Sequence, residues 1–149
     1  MKKLGDQSWQ LDFTWVDKDK IPFPEEKVRK WILFVIENEN NIPGYLNFVF
    51  CSDMYLHKIN LDFLNHDDYT DIITFDYTED FNSISGDIFI SIDRIKENSI
   101  EFETDFFIEL YRIMCHGLLH LLGYKDKKAE DKIVMTGMED KYLKMIDFL

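Results

Sequence analysis

The feature that most constrains this chain is a short run of metal-ligand residues at helical spacing. His116 and His120 are four residues apart, so an α-helix would place both imidazoles on one face, about one turn from each other. Gly123 readily adopts the positive φ that ends a helix, and Asp126 follows three residues later. The pattern predicts two nitrogens and one carboxylate oxygen around a divalent ion with one position open, as in catalytic sites.

The residues around the two histidines indicate a helix that is covered by the rest of the protein. Large apolar side chains recur at helical spacing on the opposite side of this helix: Phe107, Leu110, Tyr111, Met114, Leu118 and Leu121. Ile113 and Leu119 border the histidines themselves. A solvated polar face would not usually carry so many apolar neighbours, so the sequence favours a metal site over two unrelated histidines.

The composition fits a single domain, residues 1–149, that can bury one core, since 46% of the residues are hydrophobic. No apolar segment follows the basic start, and no run approaches the ~18 apolar residues of a membrane span. Cys51 and Cys115 lie in apolar stretches without the spacing of a disulfide framework. We therefore expect reduced thiols in a cytoplasmic protein with no signal peptide.

The formal net charge of −12 argues against strong electrostatic steering towards nucleic acid. Overall acidity still permits a local basic groove. Lys125, Lys127 and Lys128 bracket Asp126, where they are either a phosphate-binding cluster or the solvated charges of a turn. Composition alone favours neither interpretation.

Hydrophobic periodicity predicts the order strand, helix, strand, helix, two strands, then helices. The predicted strands are 9–15, 45–50, 70–76 and 86–91. The predicted helices begin at Pro24, at a Ser52 cap, near Ile92 for a short turn to Asn98, at a Thr104 cap, and at Ala129 for a helix to Ile146. Pro43-Gly44 is expected to be a turn, and 78–85 a polar loop. The fold class is α/β (α+β): a small four-stranded mixed sheet packed with about five helices, with the metal site on the long helix and the turn after it.

Four segments occur in an order that is found together in one known family. The motif His-Gly-x-Leu-His-Leu-x-Gly-Tyr-x-Asp at 116–126 is the specific part, and 65–75, 86–91 and 135–143 (with Glu139) match further segments. In these segments the chain resembles the YbeY family of metal-dependent endoribonucleases. The resemblance implies a single-strand-selective endoribonuclease of ribosomal RNA maturation and ribosome quality control. It also implies zinc as the expected ion, and ribosomal RNA precursors, the ribosome or ribosomal proteins as cytoplasmic partners.

Two positions depart from the family pattern. The family commonly has histidine where this chain has Asp126, and a carboxylate makes the site harder and less selective for zinc over manganese-like ions. Many relatives carry an arginine where this chain has Leu64, so one phosphate partner is missing. His66 and Arg112 are the candidates for substrate binding in its place. An exposed loop residue is an equally good interpretation of His66, and an ordinary polar helix position is the better one for Arg112.

Three functions remain open from the sequence. In an endoribonuclease, the ion would polarise the scissile phosphate, activate a water, or both. The sequence does not identify a general base. A metallopeptidase uses the same ligand spacing but needs a glutamate after the first histidine, where this chain has Gly117. A ribosome-assembly factor with a structural metal and little nuclease activity would fit the acidic charge and Leu64.

Overall fold

A four-stranded mixed sheet is the frame on which the helices pack. The computed structural model describes residues 9–79 and 83–149. The strands are β1 (Gln10–Trp15), β2 (Ile42–Cys51), β3 (Ile72–Asp76) and β4 (Ser83–Ser91). Their order across the sheet is β1-β2-β4-β3, with β1, β2 and β4 parallel and β3 antiparallel to β4. The predicted mixed sheet is confirmed. The start of the chain, at 1–8, and part of the expected 78–85 loop, at 80–82, lie outside the described residues.

Five helices connect and cover the strands within the described ranges, as the sequence predicted. They are α1 (Glu25–Asn38), α2 (Asp53–Leu64), α3 (Ile92–Glu101), α4 (Phe106–Leu121) and α5 (Ala129–Leu143). The hydroxyl of Ser52 accepts a hydrogen bond from Tyr55 N, which confirms Ser52 as the N-cap of α2. Among the residues described, no helix combines the length and apolar character needed to cross a bilayer.

Side chains of the central strands alternate between the two faces of the sheet, as strand geometry requires. Phe48 and Phe50 of β2 and Ile88 and Ile90 of β4 lie in the larger core, which α1, α4 and α5 complete. Cys51 faces the other side and lies in a smaller core with residues of α2. Each fully buried side chain of this size contributes about 1.5–3 kcal/mol.

Helix α4 packs on β3 and β4, and it approaches the sheet closely at Gly117. A Cβ atom at this position would lie 2.7 Å from Ile88 Cγ2 and 2.9 Å from Ile72 Cδ1. Such distances are too short for carbon atoms, so the close approach requires glycine. Helix α4 thus packs on the sheet at Gly117, and it also packs against α5.

Four local expectations were wrong. Pro43 and Gly44 do not form a turn but belong to β2, whose pairing with β4 changes register between Pro43 and Leu46. Proline lacks a backbone donor and is tolerated in a strand at such an irregularity. Thr104 does not cap α4: the Asp105 carboxylate accepts hydrogen bonds from the backbone N–H groups of Phe107 and Ile108, at 3.0 and 3.2 Å.

The third wrong expectation is the end of the polar loop over 78–85, because β4 already begins at Ser83. The fourth concerns helix length. Helix α3 continues to Glu101, three residues past the short turn expected to end at Asn98, and α5 ends at Leu143 instead of Ile146.

Both cysteines are free and buried, as predicted. Burial raises the pKa of each thiol to about 12, so both remain protonated.

Candidate metal centre

The end of α4 brings Asp126 back beside the two histidines. Gly123 has φ +102°, and its N–H donates to the carbonyl of His120 at 3.0 Å. The N–H of Tyr124 donates to the carbonyl of Leu119, also at 3.0 Å. This pair of bonds is a Schellman motif, which closes a helix and reverses the chain. The reversal is why a residue six positions after His120 can reach its imidazole.

The three predicted ligand atoms converge on one point. His116 Nε2 and His120 Nε2 are 3.1 Å apart, and Asp126 Oδ2 lies 3.2 Å from each of them. Donors at about 2.0–2.1 Å from a tetrahedral zinc ion would be spaced roughly 3.3 Å from one another. The donor types and their spacing therefore fit a divalent ion.

The second nitrogen of each histidine ring fixes where its proton sits. His116 Nδ1 is 2.7 Å from Oε2 of Glu139, and His120 Nδ1 is 3.0 Å from the backbone carbonyl oxygen of Tyr124. A carboxylate and a carbonyl can only accept, so each Nδ1 carries the hydrogen and donates it. Each Nε2 then presents a lone pair to the carboxylate of Asp126, and such a cluster of acceptors is stabilised by a cation at its centre.

Glu139 of α5 is the residue that holds His116. Its side chain is only 8% exposed, and its other oxygen, Oε1, accepts from Arg112 Nη1 at 3.0 Å. Burial lowers the pKa of His116, but the hydrogen bond and charge of Glu139, with the charges of Asp126 and Asp71, outweigh it. The net pKa of His116 is raised above its ordinary value of 6.5.

A polar cavity of about 200 Å³ adjoins His116. Asp71, Asn98, Glu109 and Arg112 line it together with His116 itself. Burial raises the pKa of the Asp71 carboxyl, against the opposing effects of backbone hydrogen bonds and the positive charges of His116 and Arg94. A cavity of this size has room for several ordered waters next to His116.

The two candidate substrate-binding residues occupy different surroundings. Arg112 lines the cavity, but its guanidinium is shared between Glu139 and Asp140, with the Nη2–Oδ1 distance to Asp140 at 2.7 Å. His66 is exposed in the loop after α2, where its backbone N–H donates to the carbonyl of Asn60. Leu64, at the arginine position of the family, is the last residue of α2 and is 41% exposed.

Sequence reasoning did not assign three of the groups that shape this site. Glu139 was noted only as part of a matching helix, and Asp71 only as part of a matching strand. The backbone carbonyl of Tyr124 carries no sequence signal, because every residue has one. A single carboxylate at a buried position of α5, flanked by Met135 and Tyr142, was the available sign that Glu139 has a buried partner.

Comparison with known proteins places the chain among relatives of one kind. The family model described as endoribonuclease YbeY matches residues 13–147. The chain belongs to this family. It is 54% identical over 114 residues to endoribonuclease YbeY of Karelsulcia muelleri, a match that covers 76% of this chain and 80% of the relative. The relative of the same name from Flavobacterium johnsoniae is 47% identical over 121 residues, covering 81% of this chain and 86% of the relative.

A solved structure supports the fold of this YbeY family member. The solution structure of TM1509 from Thermotoga maritima superimposes with a TM-score of 0.65 and covers 90% of this chain and 88% of that one. The two sequences are 22% identical. The α/β architecture is therefore shared well beyond recognisable sequence similarity.

Proposed function

We propose that the chain is a metal-dependent endoribonuclease that cuts single-stranded RNA in ribosomal RNA maturation and ribosome quality control. The observation that carries the proposal is the convergence of His116 Nε2, His120 Nε2 and Asp126 Oδ2 in a member of the endoribonuclease YbeY family. Family membership supports RNA as the substrate, and the three donor atoms support a divalent metal ion. Ribosomal RNA precursors in the cytoplasm, met on the ribosome or with its proteins, are the proposed substrates.

The residues of the chain prepare the site before any substrate arrives. Glu139 and the Tyr124 carbonyl hold the two Nδ1–H groups, which leaves both Nε2 lone pairs available to an ion. Asp126 contributes the negative charge of the donor set. A bound divalent ion supplies Lewis-acid activation of the scissile phosphate and of a water. The cavity beside His116 has room for a water next to one of the three ligands.

Zinc is the proposed ion, since two imidazoles and one carboxylate with an open position form a common catalytic zinc site. The carboxylate also suits harder ions, so manganese is the competitor to compare. The raised pKa of His116 means that protons compete with the ion at that ring. Metal content should accordingly fall as the solution is acidified.

The structure gives a physical reason against the peptidase alternative. A metallopeptidase of this ligand spacing carries its catalytic glutamate directly after the first histidine. In this chain that position is Gly117, which faces Ile88 and Ile72 of the sheet and leaves no room even for a Cβ atom. A side chain there would point into the core and away from the ligand cluster.

Paired RNA substrates test the proposed substrate class. One labelled RNA is presented to the metal-loaded protein alone and annealed to its complement, with casein as a protein substrate. We expect cleavage of the single strand, much slower cleavage of the duplex and intact casein, because an A-form helix offers mainly its shallow groove to a narrow site. Equal cleavage of both RNAs would refute single-strand selectivity, and metal-dependent casein digestion would revive the peptidase.

A ribosome-assembly factor with a structural ion is the second candidate. It is favoured by one observation: the guanidinium of Arg112, which lines the cavity, is already paired with the carboxylates of Glu139 and Asp140. Co-sedimentation with ribosomes, run beside the RNA assay on the same preparation, separates the two. Ribosome binding without cleavage supports the factor, and cleavage supports the nuclease.

A further inference from the structure

Tyr124 connects the metal centre to the first helix of the chain. Its backbone carbonyl accepts the Nδ1–H of His120 at 3.0 Å, as described above. At the other end of the same residue, the hydroxyl donates to Oε1 of Glu39 at 2.6 Å. Glu39 is the C-cap residue of α1, 85 positions earlier in the chain.

Glu39 is held in place by a second tyrosine. Its other oxygen, Oε2, accepts from the hydroxyl of Tyr142 on α5, and that hydroxyl also accepts from Asn38 Nδ2 at 2.9 Å. A carboxylate can only accept, so both tyrosine hydroxyls donate to Glu39.

The turn between the helix and Asp126 is held by the Schellman hydrogen bonds and by the side chains of Leu122 and Tyr124. Nothing lies within 4 Å of where a Gly123 Cβ would be, and Lys125 and Lys127 are exposed. The side chain of Tyr124 packs against the main core. Leu122 and Tyr124 therefore anchor a segment that carries both the acceptor for His120 and, two residues after Tyr124, Asp126.

We propose that Glu39 is a positioning residue of the metal centre, acting through Tyr124 on the carbonyl that orients His120. The inference rests on the metal site of the proposed function. It gives the two histidines similar supports from two different helices: Glu139 of α5 orients His116, and Glu39 at the end of α1 orients His120 through Tyr124. Two ligands, His120 and Asp126, then depend on a carboxylate that touches neither.

Two tyrosine-to-phenylalanine variants form a matched pair for the test. Tyr124→Phe and Tyr142→Phe each remove one hydroxyl that donates to Glu39, but only Tyr124 carries the carbonyl bonded to His120. Zinc affinity of the full chain is measured by competition with a chelating indicator. We expect Tyr124→Phe to bind zinc about tenfold more weakly, at the low end of the usual range for residues that orient a ligand. Tyr142→Phe, which leaves the bond between Tyr124 and Glu39 in place, should lose clearly less affinity than Tyr124→Phe.

A second measurement reads the ring directly and needs no ion. In metal-free protein, ¹⁵N chemical shifts report which nitrogen of His120 carries the proton. Tyr124→Phe and Glu39→Ala should both increase the Nε2–H tautomer of His120 and leave His116 unchanged. The double variant Tyr124→Phe/Glu39→Ala should bind zinc about as tightly as whichever single variant has the lower affinity. The two effects should not add, because both changes act on the same hydrogen bond.

The outcomes separate the two proposals. If wild type binds zinc and Tyr124→Phe binds it with the same affinity, the positioning role alone is overturned. An equal loss of zinc affinity in Tyr124→Phe and Tyr142→Phe overturns it too. A wild-type chain that binds no divalent ion overturns the metal site, and the positioning role with it. An unchanged His120 tautomer in both Tyr124→Phe and Glu39→Ala overturns the positioning role whatever the metal result.

Discussion

Each histidine of the centre uses its two ring nitrogens for different purposes. Nδ1 donates to an acceptor of the protein, which is Glu139 for His116 and the Tyr124 carbonyl for His120. Nε2 is therefore available to bind an ion. The supports differ in charge. A carboxylate raises the basicity of the ring it holds more than a neutral carbonyl does. His116 should therefore be the more basic donor of the two.

Substitution of Asp126 tests its role as the third ligand. Asp126→Ala leaves only two donors and should reduce the bound ion per chain sharply, whereas Asp126→His should retain it because imidazole is an equally competent donor. The measurement is the metal content of wild type and both variants, purified side by side without chelator. An alanine variant with wild-type metal content would mean that Asp126 is only a turn residue after Gly123.

Glu139→Gln should change how the stability of the metal-free protein depends on pH. The pKa of His116 is raised in the folded state, so its contribution is fully present below about 6.5 and lost as pH rises through the folded pKa. Glutamine removes the carboxylate chiefly responsible for the rise. The difference in unfolding free energy between about pH 6 and about pH 9, from urea titrations, should therefore shrink in the variant. The same pH dependence in both proteins would contradict this source of the shift.

At the scale of elements, α4 is fixed on two sides. Gly117 lets it lie against β3 and β4, and the Schellman turn at Gly123 ends it where the chain must reverse. The histidine-bearing face is then covered by α5, which delivers Glu139. The geometry of the ligands is a consequence of these packing contacts more than of helix propensity.

A pair of glycine substitutions tests the close approach of α4 to the sheet. Gly117→Ala should cost about 1–3 kcal/mol, because its Cβ would overlap Ile88 Cγ2, an atom of a fully buried side chain that cannot move aside. Gly137→Ala is the control: it is an exposed position of α5 with nothing within 4 Å, and alanine should stabilise it by about 1 kcal/mol. Urea unfolding of both variants gives the two signs, and equal effects would contradict the packing argument.

The element order and the ligand trio were accessible from sequence because both depend on local spacing. Periodicity identifies an amphipathic helix, and His116, His120 and Asp126 lie within one helix end and its turn. The contacts of Glu139 and Glu39 with the site were not accessible, because they span 23 and 85 positions and depend on how helices pack. The Pro43-Gly44 turn was wrong for a similar reason, since pairing with β4 overrides local turn preference.

At the scale of the whole molecule, charge is the feature most at odds with an RNA substrate. The formal net charge is −12, and the exposed residues Lys125, Lys127 and Lys128 beside Asp126 form no ion pair within the part of the chain that is described. These lysines place positive charge next to Asp126 in the chain. Long-range repulsion should nevertheless slow association with free RNA, which fits a substrate met on a larger assembly.

The measurement that tests the central claim most directly is cleavage of a single-stranded RNA by chelator-treated protein before and after zinc is restored. Wild type and His120→Ala are purified and assayed side by side. We expect chelated wild type to be inactive, zinc to restore its cleavage, and His120→Ala to stay inactive with or without zinc. RNA cleavage that survives thorough chelation would contradict a metal-dependent reaction. Cleavage by His120→Ala at the rate of wild type would contradict His120 as a ligand.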